Sequence, residues 1–283
     1  MRLAVGTAVV MMATALGGCA DDPGDGPGER DLDADVSVPG WPDQVDVAIL
    51  TEDVGGGLPP PEPAPARFAA VPDFVLYGDG VAVWRQGGSF LTITLDREGV
   101  RSVLGWATVA GLLDEGGADT GDPQVYDVPS ARFDVRTDDG SVATILRAPG
   151  LDAGDLGLSP DESAARALLG ELHDRLRSLP DFLGDDRVLA PVGPLRAAGW
   201  EVLSRRTTTY PDLSGDEPTW TLDDLSEGCR TVTGDDQTRL ESLMAAQQTD
   251  PGFGSVWGFE GAAWVVFARP LLPGAPRGCG AVP

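Results

Sequence analysis

Few side chains in this sequence could carry chemistry once each is asked for its partners. His173 is the only histidine, so a Ser-His or Cys-His relay would have to use it. It falls one turn from Leu169 and close to Leu176, beside the apolar stripe of a predicted helix. That setting predicts a boundary-packing residue rather than a proton-transfer group. No Ser stands in a Gly-x-Ser-x-Gly elbow, and there is no Lys to form a phosphate-binding loop or a Ser-Lys dyad. Asp119-Thr120-Gly121 matches the triplet of aspartic proteases, whose chemistry needs two carboxylates sharing a proton. One copy is present, between Gly116-Gly117-Ala118 and Asp122-Pro123, and it reads as an acidic loop. Asp31, Asp33 and Asp35 have calcium-loop spacing, but Val36 and Pro42 stand where such a loop needs Gly and Glu. Paired carboxylates for glycoside hydrolysis remain an option that no acidic residue singles out.

Two other residue types are informative. Trp200, Trp220, Trp257 and Trp264 all fall in the C-terminal part. Core packing is the first reading for all four, most clearly for Trp264 inside a continuous apolar run. Trp220 and Trp257, near loops rich in Gly, Pro and Asp, are the candidates for a ligand-stacking surface. Of the three cysteines, Cys19 belongs to the N-terminal signal discussed below, and Cys229 and Cys279 form an even pair that predicts a disulfide. Two cysteines and one distant histidine are too few soft ligands for a metal site. The sequence thus predicts no catalytic residue, no metal and no cofactor.

The elements that must position these residues read as α+β. Residues 45–51 form a first strand, broken by Gly55-Gly56-Gly57 and a Pro-rich stretch. Residues 74–77 and 81–84 flank Gly78-Asp79-Gly80 as a hairpin, and 90–95 is another strand. Asp96 is placed to cap a helix carrying Val100, Val103, Leu104 and Ala107. The order then returns. Residues 131–136 and 141–148 flank Asp138-Asp139-Gly140, and Ser159-Pro160-Asp161-Glu162 opens a second helix with a capping box. Two hairpin-helix units building one antiparallel sheet are the expected architecture. After 180–194, a stretch broken by Pro, Gly and Asp, come a strand at 200–206, a helix with Leu240, Leu243 and Met244, and an apolar strand at 262–268. The predicted organisation is a signal peptide over 1–18, an acidic disordered tether over 19–43, an α+β domain over 44–182, and a smaller, disulfide-closed α+β domain over 195–283.

Charge narrows the partners. There are 45 acidic residues against 20 basic ones, all Arg, for a formal net charge of −25. A GC-rich genome or a salt-adapted surface would each produce this composition. Such a chain is soluble and self-repelling, which predicts a monomer and excludes nucleic acid as a partner.

The N-terminus supplies the address. Arg2 is followed by an apolar run from Leu3 to Ala15 and then Leu16-Gly17-Gly18-Cys19. The run is shorter than the roughly 20 residues that a membrane-spanning helix needs. The closing tetrad resembles the bacterial lipobox, which implies cleavage before Cys19 and diacylglyceryl transfer to its sulfur. The Asp-, Gly- and Pro-rich segment behind it suits a flexible tether reaching on the order of 25 Å.

Further motifs carry a wider resemblance. Gly55-Gly56-Gly57, the run from Pro72 to Gly80 around Leu76-Tyr77-Gly78-Asp79-Gly80, and Arg269-Pro270-Leu271-Leu272-Pro273 with Cys279 behind it resemble a group of uncharacterised actinobacterial exported lipoproteins. That resemblance implies the address and the fold and carries over no site residue. The sequence therefore leads to a lipid-anchored protein on the extracytoplasmic face of the cell membrane, binding a ligand or partner without catalysis. A carboxylate-dependent hydrolase acting on cell-wall or glycan material, or a passive structural surface protein, are the alternatives. Labelled palmitate is expected to enter the wild-type chain and not Cys19→Ser; equal labelling of both would refute the anchor.

Overall fold

The computed structural model describes residues 35–56, 71–87, 89–151, 156–207, 219–222, 225–247 and 255–274. Cys19 and Cys279 lie outside the described residues. The described chain is mixed α+β, with two antiparallel sheets and few helices.

Strand β1 (Ala48–Gly56) is the hub of the larger sheet. On one side it pairs with β2 (Phe74–Tyr77), which leads to β3 (Val81–Gln86) and β4 (Ser89–Leu95). On its other side lie β5 (Pro129–Thr137) and β6 (Gly140–Arg147). With β7 (Val188–Pro194) beyond β4, the seven strands run in the order β6-β5-β1-β2-β3-β4-β7. Both hairpins expected from the glycine-bearing turns are present, and Gly80 and Gly140 take the positive φ that such turns favour.

Two differences from the sequence expectation have clear causes. β1 continues through Gly55 and Gly56, because their backbones pair with Ser130 and Pro129 of β5. The stretch expected to be a broken connection contains β7, which tolerates Pro191 and Pro194 because only one of its sides pairs with a neighbour.

Helices α1 (Arg97–Val109) and α2 (Pro160–Arg177) cover one face of this sheet, and the short α3 (Leu179–Phe182) follows α2. Asp96 caps α1 by accepting from Gly99 N at 2.6 Å. Ser159 and Glu162 close a reciprocal capping box on α2. The backbone N–H of Ser159 also holds the Glu162 carboxyl below its usual range. Val100, Val103 and Leu104 of α1 join Leu169, Leu172 and Leu176 of α2 over Leu50, Phe74, Leu76, Trp84, Ile93 and Phe133 as the first core.

The smaller sheet runs β10 (Ser255–Phe259), β11 (Ala262–Pro270), β8 (Trp200–Arg206), β9 (Gly228–Val232). It shares a second core with the other face of the large sheet. Val75, Tyr77, Val83 and Phe90 pack with Trp200, Val202, Trp257, Val266 and with Leu240 of α4 (Gly234–Gln247).

Replacing Ser159 with Ala is expected to cost about 1 kcal/mol at neutral pH, measured by chemical denaturation. Because Glu162 is held below its ordinary range, its share of the capping box is present above that range and lost as pH falls.

Candidate functional site

Concave surface arises where the smaller sheet stops short of covering the larger one. On the face away from the helices, β2, β3 and β4 are capped by the second core. β5 and β6 lie beyond it: Arg132 and Arg136 are exposed, and Arg132 makes a two-bond ion pair with Asp134 at 2.6 and 2.7 Å. At the boundary, the end of β11 turns back over β1 and β2 and encloses a cleft of about 370 Å³.

Each wall has a local cause. Arg269 lies directly opposite Glu201 in the β11–β8 ladder, and its guanidinium bonds the buried Glu201 carboxylate at 2.8 and 2.5 Å. Pro270 ends the strand, and Leu271 N donates to Gly199 O at 2.8 Å. Gly274 has positive φ, and a Cβ there would collide with the Asp46 carbonyl, so this approach to β1 requires glycine. Val71, Val75 and Leu272 supply apolar surface, and Asp46 brings the one carboxylate side chain among the lining residues.

Three polar side chains lining the cleft have no partner among the described residues. Tyr77 is only 2% exposed, yet its hydroxyl makes no hydrogen bond, and burial raises its pKa well above the ordinary phenol value. Thr51, half-buried on β1, leaves its hydroxyl unbonded. Arg136, exposed on β5, forms no ion pair.

On the opposite face of β1 lies a second charged assembly. Glu52 is fully buried in register between Phe133 of β5 and Phe74 of β2. Its Oε1 meets His173 Nδ1 of α2, and its Oε2 has no partner among the described residues. Nearby, buried Asp73 accepts from Val54 N at 2.8 Å and from Arg85 at 2.7 and 3.1 Å. Arg177 stands 3.8 Å from the same carboxylate. On the other side of the strand, exposed Asp53 is held above its ordinary value of 3.8, first by desolvation and then by Asp73, with Arg85 opposing. His173 thus sits at the packing boundary, half-buried, with a hydrogen-bonding role added to the packing one. Sequence reasoning missed Glu52 among so many acidic residues. The available signal was its strand phase, which puts it on the same face as Leu50 and Val54.

The remaining candidates are placed as follows. Trp220 and Trp257, the candidates for a stacking surface, are 3% and 2% exposed and meet edge to face at 5.5 Å inside the second core. Each ring buries a large apolar area there. Thr120 of the Asp119-Thr120-Gly121 loop is buried and donates to Ile145 O at 3.1 Å, lacing that loop along β6. Cys229 lies half-buried on β9 against Phe267, Leu203 and Val265. A smaller cleft of about 270 Å³ holds Asp43, Asp79 and Asp96 beside Trp41. There Asp96 is committed to capping α1, and Asp79 accepts from Val81 N at 3.2 Å. Among the described residues no group of three or more His, Cys, Asp or Glu is arranged to hold a metal ion, and no helix is long and apolar enough to cross a membrane. Comparison with protein-family models, curated proteins and solved structures finds no match to this chain.

Two substitutions follow from the charged assembly. His173→Ala removes the side-chain partner of the buried Glu52 carboxyl and is expected to cost about 1–3 kcal/mol in chemical denaturation, while replacing both partners with Met and Leu recovers most of it. Asp53→Asn is expected to raise Tm slightly at pH 7. The folded state holds the Asp53 proton to higher pH than the unfolded chain, so ionisation costs stability as pH rises above 3.8, and the mutant's advantage shrinks as pH falls towards that value.

Proposed function

We propose that this chain is an envelope lipoprotein, held by lipid on Cys19 at the extracytoplasmic face of the membrane, that binds a small ligand in the cleft between its sheets. The observation that carries the binding reading is the set of unpartnered polar side chains, Tyr77, Thr51 and Arg136, in one concave, partly apolar site. These groups line an open cleft, where a ligand that bonds them takes the place of water. The anchoring reading rests on Leu16-Gly17-Gly18-Cys19, on the acidic spacer, and on the likeness to actinobacterial exported lipoproteins. An exported chain also suits a disulfide between Cys229 and Cys279, which would close the C-terminal part. On the chain-entropy model it is worth at most about 4 kcal/mol.

The hydrolase alternative has less support in this cleft. Glycoside hydrolysis uses two carboxyl groups facing across the bond, and Asp46 is the one carboxylate side chain among the lining residues. In the smaller cleft two of the three carboxylates already hold backbone N–H groups.

Incubating the full chain with envelope extract and cell-wall fragments, followed by native mass spectrometry, is expected to show one saturable small-molecule adduct. Thr51→Phe, which fills the cleft, is expected to abolish it. A wild-type chain that acquires no adduct would overturn the binding reading.

A further inference from the structure

The unpartnered groups of the cleft have a common polarity. Arg136 can only donate hydrogen bonds. Tyr77 keeps its proton because burial disfavours the phenolate, so it also enters as a donor. Thr51 can turn its hydroxyl either way. Arg269, also on the wall, is already committed to the Glu201 carboxylate and is not a free donor. Asp46 is exposed and sits by Gly274, where the end of β11 approaches β1.

We propose that the cleft recognises the oxyanion of a small organic acid or phosphate ester, with Arg136, Tyr77 and Thr51 donating to it and its apolar body lying against Val71, Val75 and Leu272. The proposal rests on the ligand-binding reading and narrows it to a chemical class. A neutral oxygen could accept from the same donors but without the charge that strengthens a guanidinium pair, and a cation would be repelled by Arg136, so an oxyanion suits this donor set best. The net charge of −25 does not forbid this. At physiological salt the screening length is about 8 Å, so distant carboxylates are largely damped while a guanidinium in contact is not. A site of about 370 Å³ also suits a compact ligand with one charged head and an apolar ring or short chain.

Calorimetric titration of the full chain tests this with four water-soluble probes of similar size. They are cyclohexanecarboxylate and phenyl phosphate, the neutral cyclohexanecarboxamide, and cyclohexylmethylamine. Saturable binding of one or both anions is expected, and the preferred one identifies the head group. Arg136→Gln is expected to weaken that binding about tenfold or more, and Tyr77→Phe by roughly threefold or more. Arg136 is exposed and Tyr77→Phe removes a single atom, so unchanged thermal unfolding will show that both variants fold. Amide or amine binding as tight as that of the anions, or an anion affinity indifferent to Arg136→Gln, would overturn the oxyanion assignment and leave the ligand-binding reading standing. If no probe binds and envelope extract leaves no adduct, both readings fail together.

Discussion

Strand β1 must be buried on its helix-facing side while carrying a carboxylate there, and much of the structure is arranged around that demand. Glu52 lies between two fully buried phenylalanines, where an unpaired charge would be costly to keep. Its side-chain partner among the described residues is His173, from a helix 121 residues further along the chain. The contact therefore sets where α2 lies on the sheet as well as satisfying one oxygen. A leucine pair would pack there at lower desolvation cost, so the polar pair contributes placement more than net stability. Arg85, Asp73 and Arg177 extend the same arrangement across β2, β3 and α2, next to an otherwise apolar core.

The two faces of β1 serve different ends because side chains alternate across a strand. Leu50, Glu52 and Val54 face the helices, whereas Thr51 and Asp53 face the other way. On that second face a four-stranded sheet meets a seven-stranded one and cannot cover it. The mismatch leaves β5 and β6 open and creates a corner at β1. The cleft is a consequence of unequal sheet widths, with β11 ending in Pro270 at the corner.

With no lysine in the chain, arginine fills every cationic role in the fold. Arg269 makes a two-bond pair with a buried glutamate, and Arg166 bonds the carbonyls of Arg147 and Ala148 at 2.8 and 2.9 Å. Ala148 has a positive φ, so Arg166 supports a backbone turn that alanine does not favour by itself. Planar, multiply donating guanidinium suits these buried positions better than an ammonium would. Arg136 differs in having no such partner among the described residues.

Local features were legible in the sequence because their causes are local. Gly78-Asp79-Gly80 and Asp138-Asp139-Gly140 mark their hairpins through turn geometry, and Asp96 and Ser159 mark the helix starts through caps spanning three residues. The apolar stripes of α1 and α2 follow from helical periodicity. What lay beyond the sequence depends on which surfaces meet. Loop neighbours made Trp220 and Trp257 the candidates for a stacking surface, but a strand pattern does not say what covers its second face, and here the other sheet does. β7 looked like a broken connection until β4 offered it an edge. Glu52 and His173, or Thr51, Tyr77, Arg136 and Arg269, are scattered in sequence and come together only through long-range strand pairing. Short-range geometry determined the elements; burial between distant elements decided where the Glu52–His173 pair and the cleft would be.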